Sequence, residues 1–388
     1  MRLIGDALVY RNPHPNNRAI VASAPTLAWS RLGSDEPFLL SAFRVGRAKM
    51  STDGRVRLRA SRDGGATWSD LPAEFASPFA GLPEPQPNHA GFHLGAASDG
   101  TTVLMACRFF MVEPGDPAWN DDAAGVVGAD CLAAFAQPGG GWERVTAYDF
   151  ARHGDEWAIP CGPPLALAGG RWIFPMERHA RAYVPGWLRR YHAFAVFSDD
   201  GGRTWGDPVP TLNDPAERLA YYDQRMVALP DGRILTMAWV HDVVNDATLT
   251  ARAGTSDDGG RTWSAPFDTG ILGGPINPVR LADGRILAAY ARRTAPRGIR
   301  VALSEDAGAT WATDDELVLW DEATRRATGT RASSRDVPDA DVPLWGTMWG
   351  WTFGGPTAVQ LPDGTVAVTF FATGFDGVPA IRCVQLEV

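Results

Sequence analysis

The chain has 388 residues, of which 45% are hydrophobic, and carries a formal net charge of −9. This composition excludes a disordered chain, and the negative charge argues against binding to nucleic acid or to an anionic membrane surface, because both need clustered Lys and Arg. With 42 Gly, 30 Pro and 15 Trp, the sequence favours many short strands joined by turns over long helices.

The amino-terminal segment has no apolar run of signal-peptide length, and nowhere do 18 uncharged apolar residues follow one another. We therefore expect a cytoplasmic chain without a membrane segment. The four cysteines, at 107, 131, 161 and 383, lie far apart and lack the CxxC spacing of zinc sites. This spacing predicts buried free thiols and gives no indication of a metal or a cofactor, and it leaves the oligomeric state open.

Six hairpins recur along the chain, each with two apolar runs around a short turn. In chain order they cover residues 24–44, 95–109, 165–177, 226–239, 277–293 and 357–372. Several turns contain Asp-Gly, which is typical of tight β-hairpins. Six such hairpins predict six sheets of similar build.

Four near-identical segments follow strand-like runs. They read SRDGGATW at 61–68, SDDGGRTW at 198–205 and again at 256–263, and SEDAGATW at 304–311. Their spacing suits one copy per sheet, except for a longer gap before the second copy. In this gap residues 131–145, which include Trp142, predict a sheet with a degenerate copy. In each copy an aspartate, expected to be Asp63, Asp199, Asp257 and Asp306 or its neighbour, should accept backbone N–H groups. The tryptophans should cover the core.

The pattern S-x-D-x-G-x-x-T-W resembles the Asp box, or BNR repeat, of the sialidase superfamily. This resemblance implies an all-β chain, folded as a six-bladed β-propeller of four-stranded antiparallel blades, with residues 1–388 forming a single unit. It also implies that the Asp boxes lie on the face opposite the active site. Because the last blade has only three strands before the chain ends, residues 7–10 are expected to close it.

A propeller binds its ligand over the central channel, near the starts of the inner strands. The carboxylate and tyrosine candidates for catalysis there are Asp53, Glu177, Tyr222, Asp223 and Asp242. The candidates for substrate binding are Arg44, Arg47, His89, Arg178, His179, Arg225, His241, Arg292, Arg293, Arg297, Trp349 and Trp351. Such a set suits an acidic sugar, because Arg binds a carboxylate through two hydrogen bonds and aromatic rings stack on sugar faces. For any single residue, a solvated surface position explains its presence equally well.

The resemblance to sialidases is incomplete where those enzymes bind sialic acid. The stretch at 22–25, Ala-Ser-Ala-Pro, lacks their first-blade arginine, and Asp223 stands in place of their fourth-blade glutamate. Their second arginine aligns near Trp239 and their tyrosine near Gly355. Asp53 matches the loop acid, and Arg293 or Arg297 matches the third arginine. A standard sialidase active site is therefore not expected.

Three hypotheses of function remain open. The first is a sialidase-like, exo-acting glycoside hydrolase on an acidic or other terminal sugar, which pairs Asp223 with another carboxylate as propeller exo-arabinanases do. The second is a lyase for uronate polysaccharides, with the base and acid drawn from His179, Tyr183, Tyr191 and His192. The third is a carbohydrate-binding propeller without catalysis. A glycan or oligosaccharide is the expected partner in each case.

Overall fold

A computed structural model describes residues 1–12, 21–46, 53–76, 78–79, 88–111, 126–148, 156–180, 192–333 and 352–388. Within these ranges every regular element is a β-strand, and the strands form six antiparallel sheets. This confirms the predicted all-β, six-bladed propeller.

The first three blades follow one another along the chain. Blade 1 contains β2 (Val21–Ser30), β3 (Phe38–Gly46), β4 (Arg55–Ser61) and β5 (Ser69–Asp70). Blade 2 contains β6 (Asn88–Ala96), β7 (Thr102–Met111), β8 (Val126–Ala136) and β9 (Trp142–Tyr148). Blade 3 contains β10 (Glu156–Pro160), β11 (Leu165–Ala166), β12 (Trp172–Ala180), β13 (His192–Ser198) and β14 (Val209–Leu212).

The other three blades complete the ring. Blade 4 contains β15 (Leu219–Ala228), β16 (Ile234–Asp242), β17 (Ala247–Ser256) and β18 (Phe267–Asp268). Blade 5 contains β19 (Ile276–Arg280), β20 (Ile286–Arg292), β21 (Gly298–Ser304), β22 (Glu316–Asp321) and β23 (Arg326–Ala332). Blade 6 contains β24 (Phe353–Gln360), β25 (Val366–Thr373), β26 (Pro379–Glu387) and β1 (Arg2–Arg11), which pairs with β26.

Two blades depart from four strands. In blade 3 the inner strand is interrupted, so that β10 and β11 both pair with β12, and blade 5 has an additional outer strand, β23. The inner strands contact their neighbours in order around the channel, and β2 of blade 1 contacts both β6 and β24. The ring therefore closes between the first and the last blade.

The hydrophobic core consists of layers between adjacent blades. One layer packs Phe38 and Leu40 of blade 1 against Phe92 and Leu104 of blade 2, and comparable layers lie at the other junctions. A strand in such a stack is covered on both faces, so β16 is buried at all nine positions. This is why the middle strands read as continuous apolar runs.

The Asp boxes form turns at the end of each blade that also holds the Asp-Gly hairpin turns. In each copy the aspartate side chain accepts the N–H group of the box threonine at 2.8–2.9 Å. The accepting residues are Asp63, Asp200, Asp258 and Asp306, so the expectation for Asp199 and Asp257 was wrong by one residue. Asp199 instead forms an ion pair with Arg171. Trp311 is buried, whereas the other three box tryptophans are half-buried.

The described residues contain no helix that is long and apolar enough to span a membrane. Within the same ranges no three His, Cys, Asp or Glu side chains are grouped as metal ligands. All four cysteines are buried and none forms a disulfide.

Candidate functional site

Four inner strands have a β-bulge near their start, where the pairing with the next strand shifts its register. One residue in each bulge takes a left-handed backbone conformation, with φ between 49° and 59°. These residues, which we call the bulge ring, are Ala24, Gly91, Asp223 and Gly355. Neighbouring bulges lie close together, since a Cβ atom built at Gly355 would be 3.5 Å from Cα of Ala24. The bulge ring surrounds the channel at the end opposite the Asp boxes.

Asp223 is the one carboxylate in the bulge ring. A left-handed backbone is costly for residues other than glycine, although Asp and Asn tolerate it better than most. The N–H group of Asp223 donates to Glu177 Oε2 at 2.7 Å, and its carboxylate Oδ2 accepts the indole Nε1 of Trp239 at 2.9 Å. The bulge therefore brings groups from blades 3 and 4 together at the channel.

A buried amide next to Asp223 holds this bulge in place. Gln224 is fully buried, and its Nε2 donates to the carbonyl of Met176 at 2.7 Å. Its Oε1 accepts the hydroxyls of Thr211 at 2.6 Å and Thr236 at 3.2 Å. Gln224 thus ties β15 to blade 3, and it fixes the position of Asp223 relative to Glu177.

Glu177 lies on β12 with only 4% of its surface exposed. Burial raises the pKa of its carboxyl group to about 8, although the N–H group of Asp223 acts in the opposite direction. A carboxyl group with this pKa keeps its proton at neutral pH and can donate it to a bound molecule.

Arg225 reaches from β15 to the bulge of β24. It is 3% exposed, and its guanidinium Nη1 reaches from blade 4 to the carbonyl of Pro356 in blade 6 at 2.5 Å. Burial lowers the pKa of Arg225, while the charge of Asp223 raises it. His93 of blade 2 lies near the same guanidinium, and burial lowers the pKa of its imidazole. The structure therefore places Arg225 inside the channel and not on its outer rim.

The arginines of blade 5 have different surroundings. Arg293 donates to the carbonyl of Phe353 and lies over that ring, 5.1 Å from its centroid. Burial lowers the pKa of Arg293 to about 9, against the effect of Asp223. Arg292 is fully buried, whereas Arg297 is exposed and lies 3.3 Å from Glu322. The effect of Asp223 on the pKa of Arg293 indicates that these two charged side chains lie near each other.

Arg44 and Asp53 are oppositely charged neighbours in blade 1. Arg44, directly opposite Ser23 in the sheet, is 2% exposed and packs its guanidinium against the backbone of Gly54. Burial lowers the pKa of Arg44, and Asp53 raises it. Asp53 also lines a cavity of about 510 Å³ together with Arg55 and Arg57.

Asp242 and His241 lie at the far end of β16, and Asp242 pairs with Leu219 at the start of β15. The Asp242 carboxylate accepts N–H groups of the turn and of Arg218, and the Arg218 guanidinium is the main reason that its pKa falls to about 2. His241 is buried 3.0 Å from Asp246, and burial lowers its pKa. These contacts hold Asp242 at the turn between β16 and β17.

Two further candidates have aromatic contacts, and several lie outside the described residues. Tyr222 is 2% exposed and packs on Trp239, and the guanidinium of Arg178 lies over the Phe194 ring. Arg47, Trp349, Trp351, Tyr183 and Tyr191, and the side chains of His89 and His179, are outside the described part of the chain.

Sequence reasoning did not select Trp239, Gln224 or Cys161 as site residues. Trp239 is part of an apolar run, and Gln224 and Cys161 carry no motif. The thiol of Cys161 has its pKa raised first by burial and then by the charges of Glu177 and Asp223. The pairing of Arg300 with Glu316 at 2.6 Å, both buried, was also missed. No local pattern could have found these contacts, because each depends on pairing between strands.

Residues 160–368, more than half of the chain, match the model of a family described as BNR repeat-like domain. The chain belongs to this family. A sequence search of curated proteins gives no significant match to this BNR repeat-like protein.

Solved structures share its fold. A protein of unknown function from Dyadobacter fermentans DSM 18053 is 20% identical with a TM-score of 0.73, and the match covers 100% of this chain and 99% of that one. NanB sialidase from Streptococcus pneumoniae is 15% identical with a TM-score of 0.59, covering 98% and 70% of the two chains. Trypanosoma rangeli sialidase is 10% identical with a TM-score of 0.61, and the match covers 94% of this chain and 55% of the enzyme. At these identities the likeness is one of fold.

Proposed function

We propose that this BNR repeat-like protein is a glycoside hydrolase that removes a terminal sugar from a glycan, with Glu177 as general acid and Asp223 as the partner carboxylate. The observation that carries the proposal is the hydrogen bond of 2.7 Å from Asp223 N to Glu177 Oε2. It brings two acidic residues from separate blades to one point at the channel. One protonated and one ionised carboxyl group can together cleave a glycosidic bond.

The two residues suit different steps. Glu177, with its pKa raised to about 8 by burial, keeps a proton that can be transferred to the leaving oxygen. Asp223 holds its carboxylate on a left-handed backbone and accepts the Trp239 indole N–H. Strained conformations of this kind concentrate at functional sites. Asp223 would have one of three roles. It would stabilise the positive charge that develops on the sugar, attack the sugar as a nucleophile, or activate a water molecule as a base.

Activity on sialosides should be weak or undetectable. The resemblance to sialidases aligns Trp239 with one of their arginines. Ser23 lies in the stretch of this chain that lacks their first-blade arginine. Arg225 and Arg293 donate to backbone carbonyls of blade 6. Without these two arginines the protein would make fewer bidentate hydrogen bonds to the carboxylate of a sialoside and would bind it more weakly. Turnover of sialosides at tens per second, an ordinary rate for enzymes, would contradict this expectation.

A panel of aryl glycosides, including the sialic acid derivative and neutral furanosides, tests the proposal. On a substrate that is turned over, Asp223→Asn and Glu177→Gln should each lower kcat by about 10²–10⁴-fold. Asp223→Asn should melt at nearly the temperature of the parent protein, and Glu177→Gln should remain folded at pH 6. An aryl leaving group of low pKa should restore activity to Glu177→Gln and not to Asp223→Asn, because only the first variant lacks the acid.

Asp258→Asn is the matched control, since it makes the same chemical change in an Asp box on the opposite face. Its kcat should equal that of the parent protein. Full activity in Asp223→Asn would remove Asp223 from the site. If the whole panel is bound without turnover, the protein is a carbohydrate-binding propeller and the proposed hydrolysis is wrong.

A further inference from the structure

Trp239 lies at a second bulge, across the sheet from the bulge at Asp223. The pairing of β16 with β17 shifts its register between Ala238 and Val240, and Trp239 is paired with Tyr222 on β15. A bulge turns a side chain away from the usual alternation of a strand. Here the two bulges together allow the indole Nε1 to donate to Asp223 Oδ2 at 2.9 Å.

The indole ring has little freedom to rotate. It packs on the Tyr222 ring with 4.8 Å between the centroids and an interplanar angle of 38°, and Trp239 is 7% exposed. Gly274, which precedes β19, leaves the necessary space, because a Cβ atom there would lie 2.3 Å from both Cβ and Cγ of Trp239. The direction of the indole N–H group is therefore fixed by its neighbours and not by the ligand.

An N–H donor favours the ionised form of a carboxylate, and it does so more strongly where water is excluded. It also selects one rotamer of a short side chain. Four other titratable or charged groups also lie near Asp223. Glu177 Oε2 accepts its N–H group, and the charge of Asp223 raises the pKa values of Cys161, Arg225 and Arg293. These groups remain in place when only the indole N–H group is removed, so a comparison of the two proteins isolates the effect of that donor.

We propose that Trp239 is a positioning residue, whose indole N–H group orients the Asp223 carboxylate and favours its ionised form. Its effect on turnover rests on the proposed function. The contact itself does not depend on any substrate, so the two can be tested separately.

Trp239→Phe keeps an aromatic ring against Tyr222 and removes the N–H group. Carboxyl ¹³C NMR should show the pKa of Asp223 rising by about one unit in the variant, as expected for the loss of one hydrogen bond to a charged group. With a substrate that is turned over, the acid limb of the pH profile should move upward with it. In addition kcat should fall by up to about 10²-fold with little change in KM.

Two other variants separate positioning from general destabilisation. Gly274→Ala leaves the indole intact and pushes it from its place, so the Asp223 titration should shift in the same direction. Trp29→Phe removes a comparable indole hydrogen bond, to the carbonyl of Gln360 at 3.0 Å, and should leave the Asp223 titration unchanged.

An Asp223 titration that is the same in Trp239→Phe and the parent protein overturns the inference, even if the protein hydrolyses glycosides. A shifted titration in a protein that hydrolyses none of them supports the contact and contradicts the proposed function. An equal shift in Trp29→Phe would show that lost stability, and not the indole N–H group, changes the titration.

Discussion

The Asp boxes and the bulge ring are both repeated features of the propeller, but they differ in what is repeated. In blades 1, 3, 4 and 5 the box serine donates to the box aspartate at 2.8–2.9 Å, and a glycine N–H group donates to that serine. These contacts join residues no more than four positions apart. A box therefore folds in the same way wherever its sequence occurs.

The bulge ring repeats a backbone and not a sequence. Ala24, Gly91, Asp223 and Gly355 share a φ between 49° and 59°, yet only Asp223 has a side chain with a functional group. The contacts of Asp223 reach Glu177, 46 positions away, and Trp239, 16 positions away. Repeated side chains thus mark the residues that build the propeller, whereas a repeated backbone with varied side chains marks the place where function can differ.

The largest effect on stability is expected in the Asp boxes. Trp311 is 8% exposed and belongs to the core between blades 4 and 5, so Trp311→Ala should lower the free energy of unfolding by about 3–5 kcal/mol. Trp263 makes the same turn contact but is half-buried, and its replacement by Ala should cost less. Chemical denaturation measures both, and equal losses would show that burial does not decide the difference.

Next to the bulge ring, Glu177 should make the free energy of unfolding depend on pH. Glu177 has a folded-state pKa of about 8 against an ordinary value of 4.5, so the folded protein holds a proton that the unfolded chain releases. The contribution of Glu177 is fully present below pH 4.5 and decreases as the pH rises to about 8. Glu177→Gln should therefore gain stability relative to the parent protein from pH 5 to pH 8. A constant difference between the two would mean that the carboxyl group is not protonated.

Asp242 tests whether a buried carboxylate of blade 4 that contacts Arg218 and the turn after β16 has a role in catalysis. Asp242 is 2% exposed, and its carboxylate accepts hydrogen bonds from Arg218 and from the turn after β16. Asp242→Asn should lower the free energy of unfolding by about 1–3 kcal/mol and leave kcat/KM unchanged. A loss of activity on the scale of Asp223→Asn would move Asp242 into the site.

The smallest expected effect comes from the backbone at Asp223. Both Asp223→Gly and Asp223→Ala lose the carboxylate and should be inactive. Only glycine accepts a φ of 49° without strain, so Asp223→Gly should be more stable than Asp223→Ala by about 1 kcal/mol. If alanine is equally stable, the bulge stores no strain at this position.

Much of the fold could be predicted from the sequence because it depends on local signals. The Asp-Gly turns, the apolar hairpins and the four Asp boxes were each recognised from a few adjacent residues, and blade 2, which has no Asp box, was found around Trp142. The error at Asp199 and Asp257 was also local. In SDDGG two aspartates are adjacent, and only the second stands two residues after the serine to which it is bonded.

The candidate site could be predicted only in part. Asp223 and Glu177 were selected one by one, as acids near the starts of inner strands, but nothing in the sequence joined them or added Trp239. Arg225 was expected at the rim and reaches from β15 to the bulge of β24, with its guanidinium at the carbonyl of Pro356. The sequence by itself determined the number of blades and their turns, since those contacts span a few residues. The tertiary structure decided which side chains meet at the channel, because packing of blade 4 on blade 3 brings Asp223 to Glu177 and strand pairing within blade 4 brings it to Trp239. Closure of the ring then brings Arg225 to the carbonyl of blade 6.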